Sequence, residues 1–277
     1  MQLLNHFELE ETEFYIYKLK ETELEVLLKK LPKQFRNCYV KDEDLEEIVK
    51  ITGREIGDIL FDNYIPENRS VMSGEFGEIF SYFFLKERYL PTEVEGPRKW
   101  LWKDDKNEAV HKTDVMLFNQ EDVVSENDLV VSAEIKAKAT KSAKNQIENA
   151  VNDMKKDYVS RLAVSLKWLQ SKYLKDKDAE NYKKMERFLK PVEHGTYKKD
   201  FKAVIVIDSE LLEDEIQKYT QVADLNFAHE IIIITFKGLK ECYENVYGEI
   251  IYKGENVDDS SNTKEMDSTV SFMENVQ

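Results

Sequence analysis

The chain is poor in the residues that mark several protein classes. Only 2 cysteines occur in 277 residues, Cys38 and Cys242, too far apart to suggest a disulfide framework or a zinc knuckle. The 4 histidines, His6, His111, His194 and His229, are scattered. No two have the spacing of a metalloprotease helix, which argues against a zinc hydrolase. No Gly-rich loop ends in Lys-Ser/Thr, so no nucleotide cofactor is expected in this chain. The longest apolar runs, such as Ile231 to Ile234, fall far short of the roughly 20 residues that span a bilayer. The opening Met1-Gln-Leu-Leu-Asn-His is followed by acids, unlike a basic and then apolar signal peptide. The expectation is a cytoplasmic protein with no membrane helix.

What is present suits a folded chain. Hydrophobic residues are 42% and aromatics 11%, which is enough Ile, Phe and Tyr to build a core. The net charge of −15 argues against capture of nucleic acid by bulk electrostatics, because such affinity comes from Lys and Arg on phosphates. The charge is unevenly distributed. Residues 1–70 carry sixteen acids against ten bases and residues 255–277 carry six against one, whereas residues 136–202 carry eighteen bases against nine acids. The basic excess begins at Lys136.

Residues 1–70 are expected to form an acidic, mostly helical segment that binds a partner. Its clearest helix is predicted over residues 41–60, capped by Asp42 or Asp44, with Leu45, Ile48, Val49, Ile56 and Ile59 at helical spacing. A second helix is predicted from Ser73 to Arg88, with Phe76, Ile79, Phe80, Phe83 and Phe84 forming one stripe that packs on a sheet. Three extended segments follow: Lys99-Trp-Leu-Trp, Thr113-Asp-Val-Met-Leu-Phe and Leu129-Val-Val-Ser-Ala-Glu-Ile-Lys. In the last, Leu129, Val131, Ala133 and Ile135 share one face, while Val130, Ser132, Glu134 and Lys136 share the other. A long helix is predicted from about Ser142 and another within residues 176–190. Residues 201–207 read as a buried strand, with further strands over 230–236 and 248–252. The order is that of an α/β fold with a central sheet between helices, its core over residues 71–253 and an acidic, solvated tail over 254–277.

Cleaving a phosphodiester needs an activated water, stabilisation of phosphate charge and a neutralised leaving oxygen, all of which Mg²⁺ can supply. Magnesium prefers hard oxygen ligands and keeps several waters, so one or two fixed carboxylates suffice. Asp114 at the head of one strand and Glu134 on another meet that need, and Mn²⁺ should substitute. Lys136, two residues beyond Glu134 on the same face, can orient the attacking water or balance phosphate charge. An acid-x-Lys triplet is common in a chain with 55 acids, so its context carries the argument. This triplet ends an apolar strand, follows an acid-bearing strand by about twenty residues and precedes a long helix. Lys138, Lys141 and Lys144 follow closely and are candidates for phosphate contact. Trp100, Trp102 and Trp168 can stack on bases or pack in the core, with packing favoured. His111, near Asp114, is more simply a surface histidine.

Together, Gly74-Glu-Phe-Gly-Glu78, Thr113-Asp114-Val, Ala133-Glu134-Ile-Lys136 and Gln146 resemble the PD-(D/E)xK nuclease superfamily. The resemblance covers residues 70–160 and, more loosely, 203–207; Thr113 stands where the pattern has proline. It implies a restriction-endonuclease-like mixed sheet, metal binding by Asp114 and Glu134, catalytic assistance from Lys136, an extra helical acid and a site-shaping role for Gln146. Spacing from Gly74 selects Glu78 as the helical acid and metal ligand, whereas the helical wheel turns Glu75 closer to the sheet, so both remain candidates. Within the superfamily, the pattern is similar to the nuclease subunit of Hachiman-type anti-phage defence systems, which implies a DNA substrate cut with little sequence preference and a helicase partner. The rival reading is a non-catalytic acidic protein that mimics DNA or binds a basic partner.

Overall fold

The computed structural model describes residues 2–254, apart from His111, Asp122, Ala223 and Asp224; the tail expected over 254–277 lies almost wholly outside the described residues. In chain order the elements are β1 (Phe7–Glu11), β2 (Tyr15–Leu19), α1 (Leu24–Tyr39), α2 (Asp42–Thr52), α3 (Ile56–Asn63), α4 (Arg69–Arg88), β3 (Val115–Asn119) and β4 (Leu129–Lys138). They continue with α5 (Gln146–Lys156), α6 (Leu162–Lys175), α7 (Ala179–Leu189), α8 (Pro191–His194), β5 (Lys198–Asp208), α9 (Leu212–Gln217), β6 (His229–Phe236) and α10 (Leu239–Gly254). A π-helical turn, Asp157–Arg161, joins α5 to α6.

The six strands form one mixed sheet in the order β1-β2-β6-β5-β4-β3. β2, β6, β5 and β4 run parallel, and the antiparallel strands β1 and β3 close the two edges. The central strands are β-branched along their length because helices cover both faces. On one face Val131, Ala133, Ile135, Val204, Val206, Ile232 and Ile234 pack against apolar side chains of α1, α4 and α10. On the other, Val130, Ala203, Ile205 and Ile233 meet Ile147, Val151, Met154 and Leu166 from α5 and α6. The fold is the expected α/β sandwich.

Four local expectations are corrected. Residues 248–252 lie in α10, because Tyr243, Val246, Tyr247 and Ile250 are all buried at helical spacing, and that period outweighs the short β-branched run. Lys99–Trp102 is a 3₁₀ turn. Both Lys99 and the adjacent Trp100 are buried and reach the same carboxylate of α4, whereas strand alternation would send neighbouring side chains to opposite faces. The helix expected over 41–60 is two helices, since Gly53 takes φ 64° and returns its N–H to the Val49 carbonyl as a left-handed cap. Lys41 holds its N-cap position, and Asp42 and Asp44 sit in the first turn, where their charge faces the positive end of the helix dipole.

Residues 7–19 form a hairpin that the sequence reading did not anticipate. β2 pairs with β6, and Leu3, Phe7 and Tyr17 share a core with α4, so sheet and core both cross residue 70. Glu8, Glu10 and Glu11 are exposed along the edge strand, where charge discourages pairing with another chain.

Helix α4 lies close to the sheet at Gly77. A Cβ there would stand 3.2 Å from Ala137 Cβ and 3.4 Å from Ile135 Cγ2, whereas one at Gly74 would meet nothing within 4 Å. The close-approach glycine is therefore Gly77. Gly77→Leu should lift α4 from β4 and destabilise the fold by about 1–3 kcal/mol through overpacking. Gly74→Ala should hold or raise stability, because alanine is the better helix former. Thermal melts followed by circular dichroism check this, and equal melts for parent and Gly77→Leu would contradict the packing argument.

Candidate active site

Asp114 immediately precedes β3, and its Oδ2 accepts the Ile135 N–H at 2.8 Å. Val115 pairs with Ala133, so continuing that antiparallel register by one residue sets Asp114 beside Glu134. Thr113 anchors the approach to the strand through its N–H and hydroxyl, both directed at Ser165 Oγ on α6 at 3.3 and 2.9 Å. Hydroxyl-to-hydroxyl bonding of this kind is open to threonine and closed to the proline of the superfamily pattern.

Glu134 and Lys136 project from β4 toward α5 and the π turn. Arg161 Nη2 stands 2.7 Å from Glu134 Oε1, and Lys136 Nζ lies 2.8 Å from Asp153 Oδ2 and 3.9 Å from Glu134 Oε2. Asp157 pairs with Arg161 and accepts the Ser132 hydroxyl at 2.7 Å. The extra residue of the π turn marks the point where this helix turns Arg161 back onto β4. Glu134 is buried, and despite the nearby guanidinium its Oε1 makes no aligned hydrogen bond.

Both helical acids are held by cations. Glu78 Oε2 lies 3.1 Å from Lys99 Nζ and accepts the Trp100 indole N–H at 3.1 Å; the same ammonium is 3.7 Å from Asp114 Oδ1. Glu75 is buried apart from these, bonded to Lys103 Nζ at 2.6 Å and to the Tyr39 hydroxyl at 2.7 Å, while Tyr39 meets Tyr247 at 2.9 Å. Glu78 thus shares a cation with Asp114, and Glu75 ties α4 to α1 and α10.

The site's electrostatics follow from burial. Glu134 is pushed well above the usual carboxyl range by burial and then by the charges of Asp114 and Asp157, with Arg161 and Lys136 opposing. Glu78 is raised to about 7 by burial, with Lys99 opposing and Asp114 and Glu75 adding to the rise. Burial works against the charge on Lys136, yet Asp114, Asp153 and Glu134 outweigh it and hold the ammonium protonated.

A groove of about 970 Å³ opens beside Lys136, lined also by Lys144, Gln146, Asn149, Asn152 and Lys156. Gln146 begins α5, behind the Asn145 cap, and its Oε1 accepts from Asn149 at 3.1 Å. Lys141 is exposed on the preceding loop. Lys138 is buried, and its ammonium pairs with Glu215 and donates to the Lys144 carbonyl at 3.1 Å, so it holds the loop after β4 in place. Trp102 packs edge-on against Trp168 at 5.6 Å. His111 lies outside the described residues. Lys99, Asp153, Asp157 and Arg161 were missed by sequence reasoning. The i, i+4 ladder Asp153-Asp157-Arg161 was a readable signal, while nothing local marked Lys99 as buried.

Among the described residues no group of three His, Cys, Asp or Glu side chains is placed to hold a metal ion. The paired carboxylates Asp114 and Glu134 still suit magnesium, which takes one or two carboxylates and otherwise water. The orphaned Glu134 Oε1, in a site with excess negative charge, is the kind of atom a hard cation would satisfy.

One pH dependence follows. The native state holds a proton on Glu78 that the unfolded chain has lost between pH 4.5 and about 7, so native stability falls as pH rises through that window. The lowered carboxyls of Asp153 and Glu230 act in the opposite sense below pH 4.5. Metal-free protein should melt lower at pH 7.5 than at pH 5.5, and Glu78→Gln should reduce that slope without abolishing it, because Glu134 and Glu75 are also raised by burial and act in the same sense. A melting temperature that rises with pH equally in both proteins would contradict the assignment.

No curated protein matches the chain. A family model described as HamA matches residues 3–250, spanning β1 through most of α10. That coverage takes in the unanticipated hairpin and every candidate site residue, and it shows that this chain belongs to the HamA family, a component of Hachiman anti-phage defence.

Proposed function

We propose that this protein is a Mg²⁺-dependent nuclease that cuts DNA phosphodiesters with little sequence preference as the effector of its defence system. The observation that carries this reading is the cross-strand placement of Asp114 beside Glu134, with Lys136 on the same strand and a polar, lysine-bearing groove beside it. An ion held by Asp114 and Glu134 would supply an activated water and neutralise phosphate charge. Mn²⁺ would serve in its place.

The protein's own groups then divide the remaining work. Lys136, fixed by Asp153 at 2.8 Å, offers an ammonium to the attacking water or the phosphate oxygens. Arg161, paired with Asp157, also stands 2.7 Å from Glu134 Oε1, and any contact that draws Glu134 away leaves that side of the guanidinium to face phosphate. Lys144, Gln146 and Lys156 line the path by which a strand would reach the site, and exposed Lys141 extends it; these contacts fix position rather than sequence. Glu75 serves the fold through Tyr39 and Lys103, and Lys138 serves it through Glu215.

Membership of a Hachiman system implies a partner, and we assign that role to a helicase that delivers DNA and restrains cutting. Helix α2 exposes Glu43, Asp44, Glu46 and Glu47, an acidic face within the segment expected to dock it.

Glu134→Gln and Lys136→Met should each lower the rate of DNA degradation in Mg²⁺ by about 10²-fold or more, the scale of losing one transition-state contact. Their melts should stay near the parent's, since neither side chain fills the apolar core. The assay compares the parent and both variants, each alone and with the product of the neighbouring gene. Unchanged cleavage by both variants would overturn the nuclease reading.

A further inference from the structure

Carboxylates of α4 and of the start of β3 meet beside β4, and one buried lysine lies between them. Lys99 Nζ stands 3.1 Å from Glu78 Oε2 and 3.7 Å from Asp114 Oδ1, and its side chain is only 5% exposed. Neither contact has hydrogen-bond geometry, so the ammonium sits between two acids as a point charge, much as a bound ion would.

Its position is built in. The 3₁₀ turn that carries Lys99 is tied on both sides: Arg98 donates to the Asn37 carbonyl at 3.0 Å, and Lys103 binds Glu75 and the Lys106 carbonyl, both at 2.6 Å. Trp100, the next residue, donates to the same Glu78 oxygen that faces Lys99. Glu78 Oε2 is therefore engaged by two consecutive residues of a fixed turn. No comparable clamp holds Glu134, whose Oε1 lacks an aligned partner.

We propose that Lys99 is a resident cation of the site. It takes the position between Glu78 and Asp114 that a second divalent ion would otherwise fill, so that the protein binds a single metal at Asp114 and Glu134. Glu78 then acts through Lys99, as a positioning residue that fixes the ammonium beside Asp114. A lysine differs from an ion in being permanent: it cannot be chelated or exchanged, and it keeps the acids of α4 and β3 compatible before any metal arrives. A two-metal site would clamp both the attacking and the leaving oxygen; here one of those charges is supplied by the fold.

The inference rests on the proposed metal site, and the test separates the two. Mn²⁺ is titrated into the full chain, free ion is counted by electron paramagnetic resonance, and melts are recorded with and without Mn²⁺. The parent should bind one ion and lose it in Glu134→Gln, and Lys99→Arg should also bind one. Lys99→Met should melt several degrees lower without metal, bind a second ion and recover its melt as Mn²⁺ is added, because bound ligand stabilises the native state. If Lys99→Met fails to fold, the double variant Glu78→Gln Lys99→Met removes the unpaired acid as well. It should melt above Lys99→Met and bind one ion. Two ions in the parent would overturn the proposal while leaving the metal site standing, and so would a Lys99→Met protein with parental stoichiometry and parental melts. A double variant no more stable than Lys99→Met would likewise overturn it. No Mn²⁺ in the parent would overturn the metal site and this inference together.

Discussion

Glu78, Asp114 and Glu134 crowd their carboxylates into one corner of the sheet, where burial has removed much of the water that would screen them. Opposite charges about 4 Å apart in such surroundings attract by about 4 kcal/mol, which is comparable with a large part of a domain's net stability. The cluster persists because cations reach it from separate elements: Lys99 from a loop, Lys136 from β4 and Arg161 from the π turn. These cations oppose the rise that burial imposes on Glu78 and Glu134 without cancelling it.

The wider fold serves this corner. Gly77 lets α4 settle on β4, which sets the distance from which Glu78 addresses the strand ends. Burial on both faces fixes the register of β4, so Glu134 and Lys136 cannot slip to the opposite side. Glu215, from α9, binds both Lys138 and the Gln146 N–H and so joins the end of β4 to the start of α5, next to the groove. The hairpin of residues 7–19 adds two strands at the far edge and joins the acidic N-terminal segment to the same core.

Strand alternation made β4 readable in the sequence, because a ten-residue run with one apolar face leaves a single choice for where Glu134 and Lys136 point. The helix carrying Glu75 and Glu78 was readable from its phenylalanine stripe, but which acid approaches Asp114 depended on the loop that supplies Lys99. That loop was misread as a strand, since two tryptophans beside a lysine have no local period that reveals burial on both sides. The short strands β1 and β2 escaped notice because the exposed glutamates of β1 resemble a solvated helix, and β2 is only five residues long and pairs with β6, which arrives more than 200 residues later. What periodicity encodes locally was legible; what depends on distant partners, such as the pairing of Lys99 with Glu78 and Asp114, was not.

The most direct measurement of the central claim is the fate of supercoiled plasmid and linear duplex DNA incubated with the full chain, across a Mg²⁺ titration and in chelator. The account predicts loss of both substrates with Mg²⁺, restoration of that activity by Mn²⁺ after chelation, and no cleavage in chelator alone. Cleavage indifferent to chelator, or intact DNA at every Mg²⁺ concentration with the partner present and absent, would contradict it.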